Sequence, residues 1–175
     1  MDAQTRIDKQ TRPEFSVTKG SDLPLSGRSL VAILRAVLEK GAPARFQAKG
    51  FSMSPFIKNN DLVTISPLKG KRPGLGEIIA FVHGETDGLC VHRVVRRKDG
   101  LYVTKGDNIS DTAEVVPREN ILGSVSRVER ERKEVFLGLG PERYLIAFLG
   151  RRHLLFPFFL PIWRVVRPII RRTAD

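Results

Sequence analysis

The spacing of hydrophobic and polar positions changes twice along the chain. Residues 1–25 are polar, with two prolines and little periodicity, which is typical of a flexible arm or an irregular lead-in. From Ser26 onward, apolar side chains recur with the spacing of one helical face until Gly41 supplies a stop. The pattern predicts one short amphipathic helix near residues 27–40, inside a lead-in at 26–43. Its apolar face would consist of Leu30, Ile33, Leu34, Val37 and Leu38.

After Pro43 the pattern becomes that of strands. Short runs of Val, Ile, Leu and Phe are separated by Gly, Pro, Asn and Asp at intervals typical of an all-β barrel or sandwich. The sequence Lys98-Asp99-Gly100 predicts a hairpin, because Gly adopts the positive φ that such a turn requires. We therefore predict a mainly β domain over residues 44–140. Its strands are expected near residues 44–49, 61–66, 77–83, 89–97, 100–105 and 121–129, with residues 131–138 as a candidate for a last strand.

The C-terminal segment, residues 141–175, is apolar and cationic at once. Its longest stretch without a charged Lys, Arg, Asp or Glu, His153 to Trp163, is interrupted by prolines and is too short to span a bilayer as a helix. A helical segment lying on an anionic membrane surface through residues 141–172 fits this composition. Packing on the β domain or binding to a partner protein is the alternative.

The composition limits the classes of function. The chain has 175 residues and a formal charge of +11, which favours a polyanionic partner but does not distinguish anionic lipid from nucleic acid. With the single cysteine Cys90 and three histidines without metal-ligand spacing, we expect no disulfide framework, no metal and no cofactor. The polar N-terminus predicts neither a cleavable signal nor an N-terminal transmembrane helix, so a cytoplasmic or peripheral membrane location is expected.

Five motifs follow one another in a fixed order within the stretch from about residue 46 to about residue 128. They are Gly50-Phe51-Ser52-Met53-Ser54-Pro55, Gly76-Glu77-Ile78-Ile79-Ala80-Phe81, Val91-His92-Arg93-Val94-Val95, Thr104-Lys105-Gly106-Asp107-Asn108 with Asp111 after it, and Ile121-Leu122-Gly123-Ser124-Val125. This series resembles the signal peptidase family. More narrowly, it resembles the branch of the endoplasmic reticulum and some Gram-positive bacteria, in which a histidine replaces the catalytic lysine.

The resemblance implies a serine endopeptidase that cleaves a peptide or precursor protein, with the β fold that the family shares with LexA-like peptidases. It implies Ser52 as the nucleophile and His92 as the general base. Asp107 and Asp111 match the acidic positions thought to orient or balance the histidine, and both are candidates for that role. Around Ser52, the box residues Gly50, Met53 and Pro55 are the candidates for substrate binding and the oxyanion site.

The chemistry of these residue types agrees with that assignment. A serine hydroxyl is a poor nucleophile until a base accepts its proton, and imidazole titrates near pH 6.5, close to where a general base works best. Backbone N–H groups around Ser52 would hold the oxyanion, since Gly50 offers no hydroxyl there.

Several alternatives stay open at this stage. Lys105 could serve as the base of a Ser/Lys dyad, and the same β scaffold could be a non-catalytic binding module at a membrane or partner protein. A nucleic-acid-associated relative of the LexA-like repressors is less favoured, because only one helix precedes residue 44 and the arm has no Ala-Gly cleavage site. Without the usual N-terminal anchor, the prediction is a signal-peptidase-like peptidase.

Overall fold

The β pattern of the sequence forms one extended sheet flanked by two helices. The computed structural model describes residues 15–16, 27–109, 113–152 and 154. A 3-10 turn, Arg118–Asn120, directly precedes the last long strand of the chain. The elements in chain order are β1 (Phe15–Ser16), α1 (Gly27–Glu39), β2 (Ala44–Gln47), β3 (Leu62–Ser66), β4 (Ile78–Val82), β5 (Leu89–Lys98), β6 (Leu101–Lys105), β7 (Ala113–Val116), β8 (Ile121–Arg130), β9 (Lys133–Glu134) and α2 (Arg143–Arg151).

The strands pair in the order β1-β2-β3-β8-β4-β5-β6-β7, and β9 adds to β8. Every pair is antiparallel except β1 with β2, which is parallel. Within the described ranges no pairing joins β1 to β7, so the sheet is open and does not close into a barrel. The mainly β prediction is confirmed at this level.

The predicted strands and the predicted helix are found close to their expected bounds. Two strands were not predicted. The pair Phe15–Ser16 lies inside the expected flexible arm, and Ala113–Val116 is short, with only Val116 buried. The candidate last strand at 131–138 is reduced to Lys133–Glu134.

Helix α1 closes one side of the main core. Its buried residues Val31, Leu34 and Leu38 recur at helical spacing and face the sheet. Ile33, which the pattern placed on the apolar face, is 40% exposed. The core cluster under α1 is built from β2, β3, β4 and β8 together with Met53, so the chain segment that follows β2 is anchored in the centre of the molecule.

A buried arginine ties β5 to the loops around it. The Arg93 side chain is fully buried, and its Nε and Nη2 donate to Asp107 Oδ1 and Oδ2 at 2.8 and 2.7 Å. Its Nη1 donates to the carbonyls of Gly76 and Gly138, both at 2.8 Å. Two N–H groups donating to two carboxylate oxygens form the strong, directional type of ion pair. Arg93 therefore fixes three loops relative to β5.

Helix α2 packs on the sheet through Ile146 and Ala147 and leaves part of its apolar surface uncovered. Tyr144, Leu145 and Phe148 are each at least 50% exposed. Within the expected C-terminal segment, 141–175, a helix is found over Arg143–Arg151, and residues 153 and 155–175 lie outside the described residues. In the part of the chain that the structure describes, no helix has the length and apolar character needed to cross a membrane.

Candidate active site

Ser52 lies in a series of turns between β2 and β3. The turns are held by backbone hydrogen bonds from Ser54 N to Phe51 O and from Ile57 N to Met53 O, both 3.0 Å long. Met53 and Ile57 are each 4% exposed and pack in the main core, whereas Ser52 is half-buried. The apolar neighbours therefore anchor the segment, and the serine is presented at its surface.

The loop after β6 holds Ser52 from the other side. The N–H of Asn108 donates to the Ser52 carbonyl at 2.7 Å. A Cβ atom at Gly106 would lie 2.7 Å from the same carbonyl oxygen, which is closer than real Cβ contacts allow. The Lys-Gly-Asp-Asn box thus has a structural role beside any chemical one, because its glycine permits the close approach of the serine segment.

His92 lies on β5, opposite Ile79 of β4. Its side chain is 8% exposed, and its ring lies 5.8 Å from that of Phe81, centroid to centroid. The buried Nδ1 has no hydrogen-bond partner among the described residues, and the nearest carboxylate oxygen, Glu114 Oε1, is 3.7 Å away. The histidine is therefore held by packing, with a carboxylate close to Nδ1.

The surroundings of His92 favour the neutral imidazole. Burial lowers its pKa below the ordinary 6.5, while the carboxylates of Glu114 and Asp107 oppose that change by raising it. At neutral pH the ring is therefore free to accept a proton, as a general base must.

Ser52 and His92 line the same cavity, which has a volume of about 440 Å³. Its walls come from the start of α1, the end of β2 with the residues that follow it, and the first half of β5. A cavity of this size lies within the range of ligand-binding clefts. The fold thus brings together two side chains that the sequence assigned to one reaction.

Two strand edges run along this cavity. Strand β6 pairs with β5 only from Arg93 onward, and β1 pairs with β2 only at Ala44 and Arg45. Among the described residues, no strand pairs with Leu89–His92 on that side of β5 or with Phe46 and Gln47 on the outer side of β2. All of these residues line the cavity, so unpaired backbone groups are available on both walls.

Of the two acidic residues expected to support His92, Asp107 is described by the structure and Asp111 is not. Asp107 is buried, and both of its carboxylate oxygens accept hydrogen bonds from Arg93. Burial raises the pKa of the Asp107 carboxyl, and the Arg93 guanidinium opposes this rise. No hydrogen bond joins Asp107 to His92 within the described residues, so any effect on the histidine acts through charge. Asp111 lies outside the described residues.

Glu114 is the site residue that sequence reasoning missed. Its Oε1 lies 3.7 Å from His92 Nδ1 and 3.8 Å from His83 Nε2, so one carboxylate lies close to two imidazole rings. Glu114 stands on the unpredicted strand β7, opposite Thr104 of β6, which in turn pairs with Val94 of β5. Only this three-strand register brings it to His92, and no local motif marks it.

Only two of the three substrate-binding candidates near Ser52 line the cavity. Gly50 and Met53 line the cavity, but Pro55 is not among its lining residues. The Gly50 N–H donates to Asn59 Oδ1 at 3.1 Å and is thereby occupied, with Gly50 at a φ of 94° that L side chains rarely adopt. The N–H groups of Ser52 and Met53 donate to no acceptor in the described residues, which leaves both available to an incoming acceptor.

Neither Lys105, as a base, nor Cys90, as a nucleophile, offers an alternative to His92 and Ser52 in this cavity. Lys105 is the register partner of Arg93, hence on the face of the sheet opposite His92, and its Nζ donates to the Gly150 carbonyl of α2 at 3.2 Å. Cys90 lines the cavity, but burial, followed by the charge of Glu114, raises the pKa of its thiol to about 11. The cysteine is thus protonated at neutral pH and a weak nucleophile.

Within residues 27–109 and 113–152, no group of three or more His, Cys, Asp and Glu side chains is arranged to hold a metal ion. No protein-family model matches the chain, and no curated protein matches it significantly in sequence.

Proposed function

We propose that the protein is a serine endopeptidase, resembling the signal peptidases, in which Ser52 and His92 form the catalytic dyad. The observation that carries the proposal is the shared cavity: a half-buried serine and a histidine whose burial favours its neutral form line one cleft, although they are far apart in sequence. The finer fold assignment, a signal-peptidase or LexA-like scaffold, belongs to the same proposal. It is supported by the ordered motifs and the mainly antiparallel sheet.

The reaction would follow the chemistry of acyl transfer. His92 Nε2 accepts the Ser52 hydroxyl proton as Oγ attacks the scissile carbonyl carbon, and the oxyanion accepts hydrogen bonds from the N–H groups of Ser52 and Met53. The imidazolium then protonates the leaving amine. A water molecule attacks the acyl carbon as His92 takes its proton, and the imidazolium returns that proton to Ser52 Oγ as the acyl group leaves as a carboxylic acid. Glu114, beside Nδ1, stabilises the imidazolium in both steps.

The substrate would bind as an extended chain. The unpaired edges of β2 and β5 flank the cavity, and a peptide between them would gain backbone hydrogen bonds from both sides. Such binding presents one peptide bond to Ser52 and places alternate side chains in the cavity, where Leu30 and Val63 form apolar walls. This favours a peptide or precursor-protein substrate.

Hydrolysis of an unbiased peptide library tests the proposal. Cleavage products identified by mass spectrometry should vanish for Ser52→Ala and for His92→Ala. Ser54→Ala is the matched control, because Ser54 lies in the same turns but does not line the cavity. Full activity of Ser52→Ala would show that the dyad is wrong.

A membrane surface is the second element of the proposal. Tyr144, Leu145 and Phe148 are exposed on α2, and Arg151 and Arg152 stand at its C-terminal end. This combination favours a peripheral enzyme that binds anionic lipid through residues 141–172. The same observation favours the alternative function, a non-catalytic module that docks on a membrane or partner protein, if no serine in the chain proves reactive.

A further inference from the structure

A second cleft lies at the end of β5 remote from His92. Its volume is about 660 Å³, larger than that of the Ser52 cavity. Four cationic side chains line it, Arg72 from the loop before β4, Arg97 and Lys98 from the β5–β6 hairpin, and Arg118 from the 3-10 turn. We name it the arginine cleft. Like charges from three separate segments repel one another, so their convergence indicates a site that an anion completes.

The positive charge of the cleft is not neutralised within the described residues. Arg118 Nη2 donates to the Lys71 carbonyl at 2.7 Å, and Arg97 Nη1 donates to the Pro73 carbonyl at 3.5 Å. These carbonyls fix the two guanidinium groups without cancelling their charge. The one acidic residue of the lining, Asp99, pairs at 3.8 Å with Lys98, and both side chains are largely exposed, so this contact contributes little.

One donor on a residue that lines the cleft lacks an acceptor. Arg118 Nη1 is buried and has no hydrogen-bond partner in the described part of the chain. A guanidinium presents five N–H donors in a planar fork, and the cost of leaving a buried donor unpaired is removed when an anionic oxygen reaches it.

The geometry and charge select a class of ligand. Arginine forks match phosphate oxygens in pairs, and a concave wall with four cations suits more than one phosphate group. The aromatic residue of the lining, Tyr102, is 2% exposed, so it offers no free face on which a nucleobase could stack. We propose that the arginine cleft binds a ligand carrying two or more phosphate groups, from clustered lipid headgroups or from a soluble polyphosphate.

Calorimetric titration of the full chain with inorganic pyrophosphate at low salt tests the cleft directly. The double variant Arg97→Gln/Arg118→Gln should bind about tenfold more weakly or worse, because it loses two charge-assisted contacts. The control Arg35→Gln/Lys133→Gln removes the same charge from exposed positions outside the cleft and should bind within about threefold of the parent. Arg72→Gln/Lys98→Gln serves as a second test pair, since no described backbone hydrogen bond depends on these side chains.

Sedimentation with vesicles identifies the source of the phosphate. Cleft-dependent binding to phosphatidylcholine vesicles only when they contain phosphatidylinositol bisphosphate assigns a lipid headgroup, and cleft-dependent binding of pyrophosphate without vesicle binding assigns a soluble ligand. The proposal is overturned if both cleft variants bind like the parent, or if the control loses as much affinity. It is also overturned if a DNA oligonucleotide binds more tightly than either probe and in a cleft-dependent manner.

Discussion

At the residue scale, Glu114 is the most informative position in the site. Its Oε1 lies 3.7 Å from Nδ1 of His92, and a carboxylate in this position favours a proton on Nδ1, which would leave Nε2 free to act as the proposed base. The contact of 3.7 Å is longer than a hydrogen bond, so the support is electrostatic in this state. Tightening of this contact when substrate binds would be in keeping with the loose geometry common in unliganded active sites.

Replacing Glu114 by Gln should therefore change both rate and pH dependence. Loss of the charge beside the imidazolium should lower kcat by about 10- to 100-fold. The carboxylate raises the pKa of His92 against the lowering by burial, so its removal lowers that pKa further. The neutral base then persists to lower pH, and the acidic limb of kcat/KM shifts downward. Glu119→Gln, at an exposed position, is the control, and an unchanged pH profile for Glu114→Gln would contradict the assignment.

At the residue scale, local motifs were enough to put Ser52 and His92 into one hypothesis, and both line the same cavity, whereas Glu114 was not predicted. Ser52 and His92 stand in local motifs, so their assignment needs only the linear order of those motifs. Glu114 stands in no motif, and its place depends on the pairing of β7 with β6 and of β6 with β5. For Asp107 the motif indicated an acid near the histidine, whereas its hydrogen bonds go to Arg93.

At the element scale, the loop after β6 positions the serine segment. Gly106→Ala would place a methyl group 2.7 Å from the Ser52 carbonyl oxygen, which forces the two segments apart. We expect kcat/KM to fall by about tenfold or more, because small misplacements of a catalytic group are costly. Gly84→Ala is the matched control, since a Cβ there meets nothing within 4 Å. Unaltered activity of a folded Gly106→Ala protein would contradict the account of this contact.

The Arg93–Asp107 pair should matter for stability more than for chemistry. Asp107→Ala leaves a fully buried guanidinium without its carboxylate and should destabilise the fold by about 3–5 kcal/mol. Arg28→Ala, at an exposed position in α1, removes only a surface ion pair with Asp87 and should cost at most about 1 kcal/mol. Urea denaturation measures both. Equal losses of stability in the two variants would contradict the structural role of Asp107.

Element prediction succeeded where periodicity was strong. Strands β3 and β4 are short and mainly apolar, β5 buries four consecutive residues, and β8 buries alternate residues over its first half; all four were expected near their observed bounds. Strand β7 escaped prediction because its four residues bury one side chain and depend on the neighbouring β6 for pairing. The two-residue strand β1 has too few residues to carry any period.

At the scale of the whole molecule, the charge and the uncovered face of α2 predict membrane binding. Leu145→Asn/Phe148→Asn should weaken cosedimentation with phosphatidylglycerol-containing vesicles by removing apolar surface that inserts among lipids. Val115→Asn alters an exposed apolar residue of β7 and leaves α2 itself intact, so it should leave binding unchanged. Rising salt should weaken binding of every variant, because screening reduces attraction to lipid phosphates. Equal binding by the α2 variant and the parent would refute this surface.

The sequence predicts the fold class of the whole molecule but not the order of its strands. Alternation of apolar and polar residues predicts a mainly β domain with one preceding helix, and this is what forms. The order of strands depends on long-range packing that no local pattern encodes, such as the placement of β8 between β3 and β4. The open sheet edges beside the cavity follow from that order, and they supply the proposed peptide-binding groove.

The most direct test of the central claim is covalent labelling with a fluorophosphonate probe, with the modified residue located by peptide mass spectrometry. The adduct should form on Ser52 and on no other serine. Its rate should fall by at least about 100-fold in His92→Ala, which lacks the general base. Absence of an adduct on Ser52 at neutral pH, in the presence and absence of anionic vesicles, would contradict the claim that His92 activates this serine.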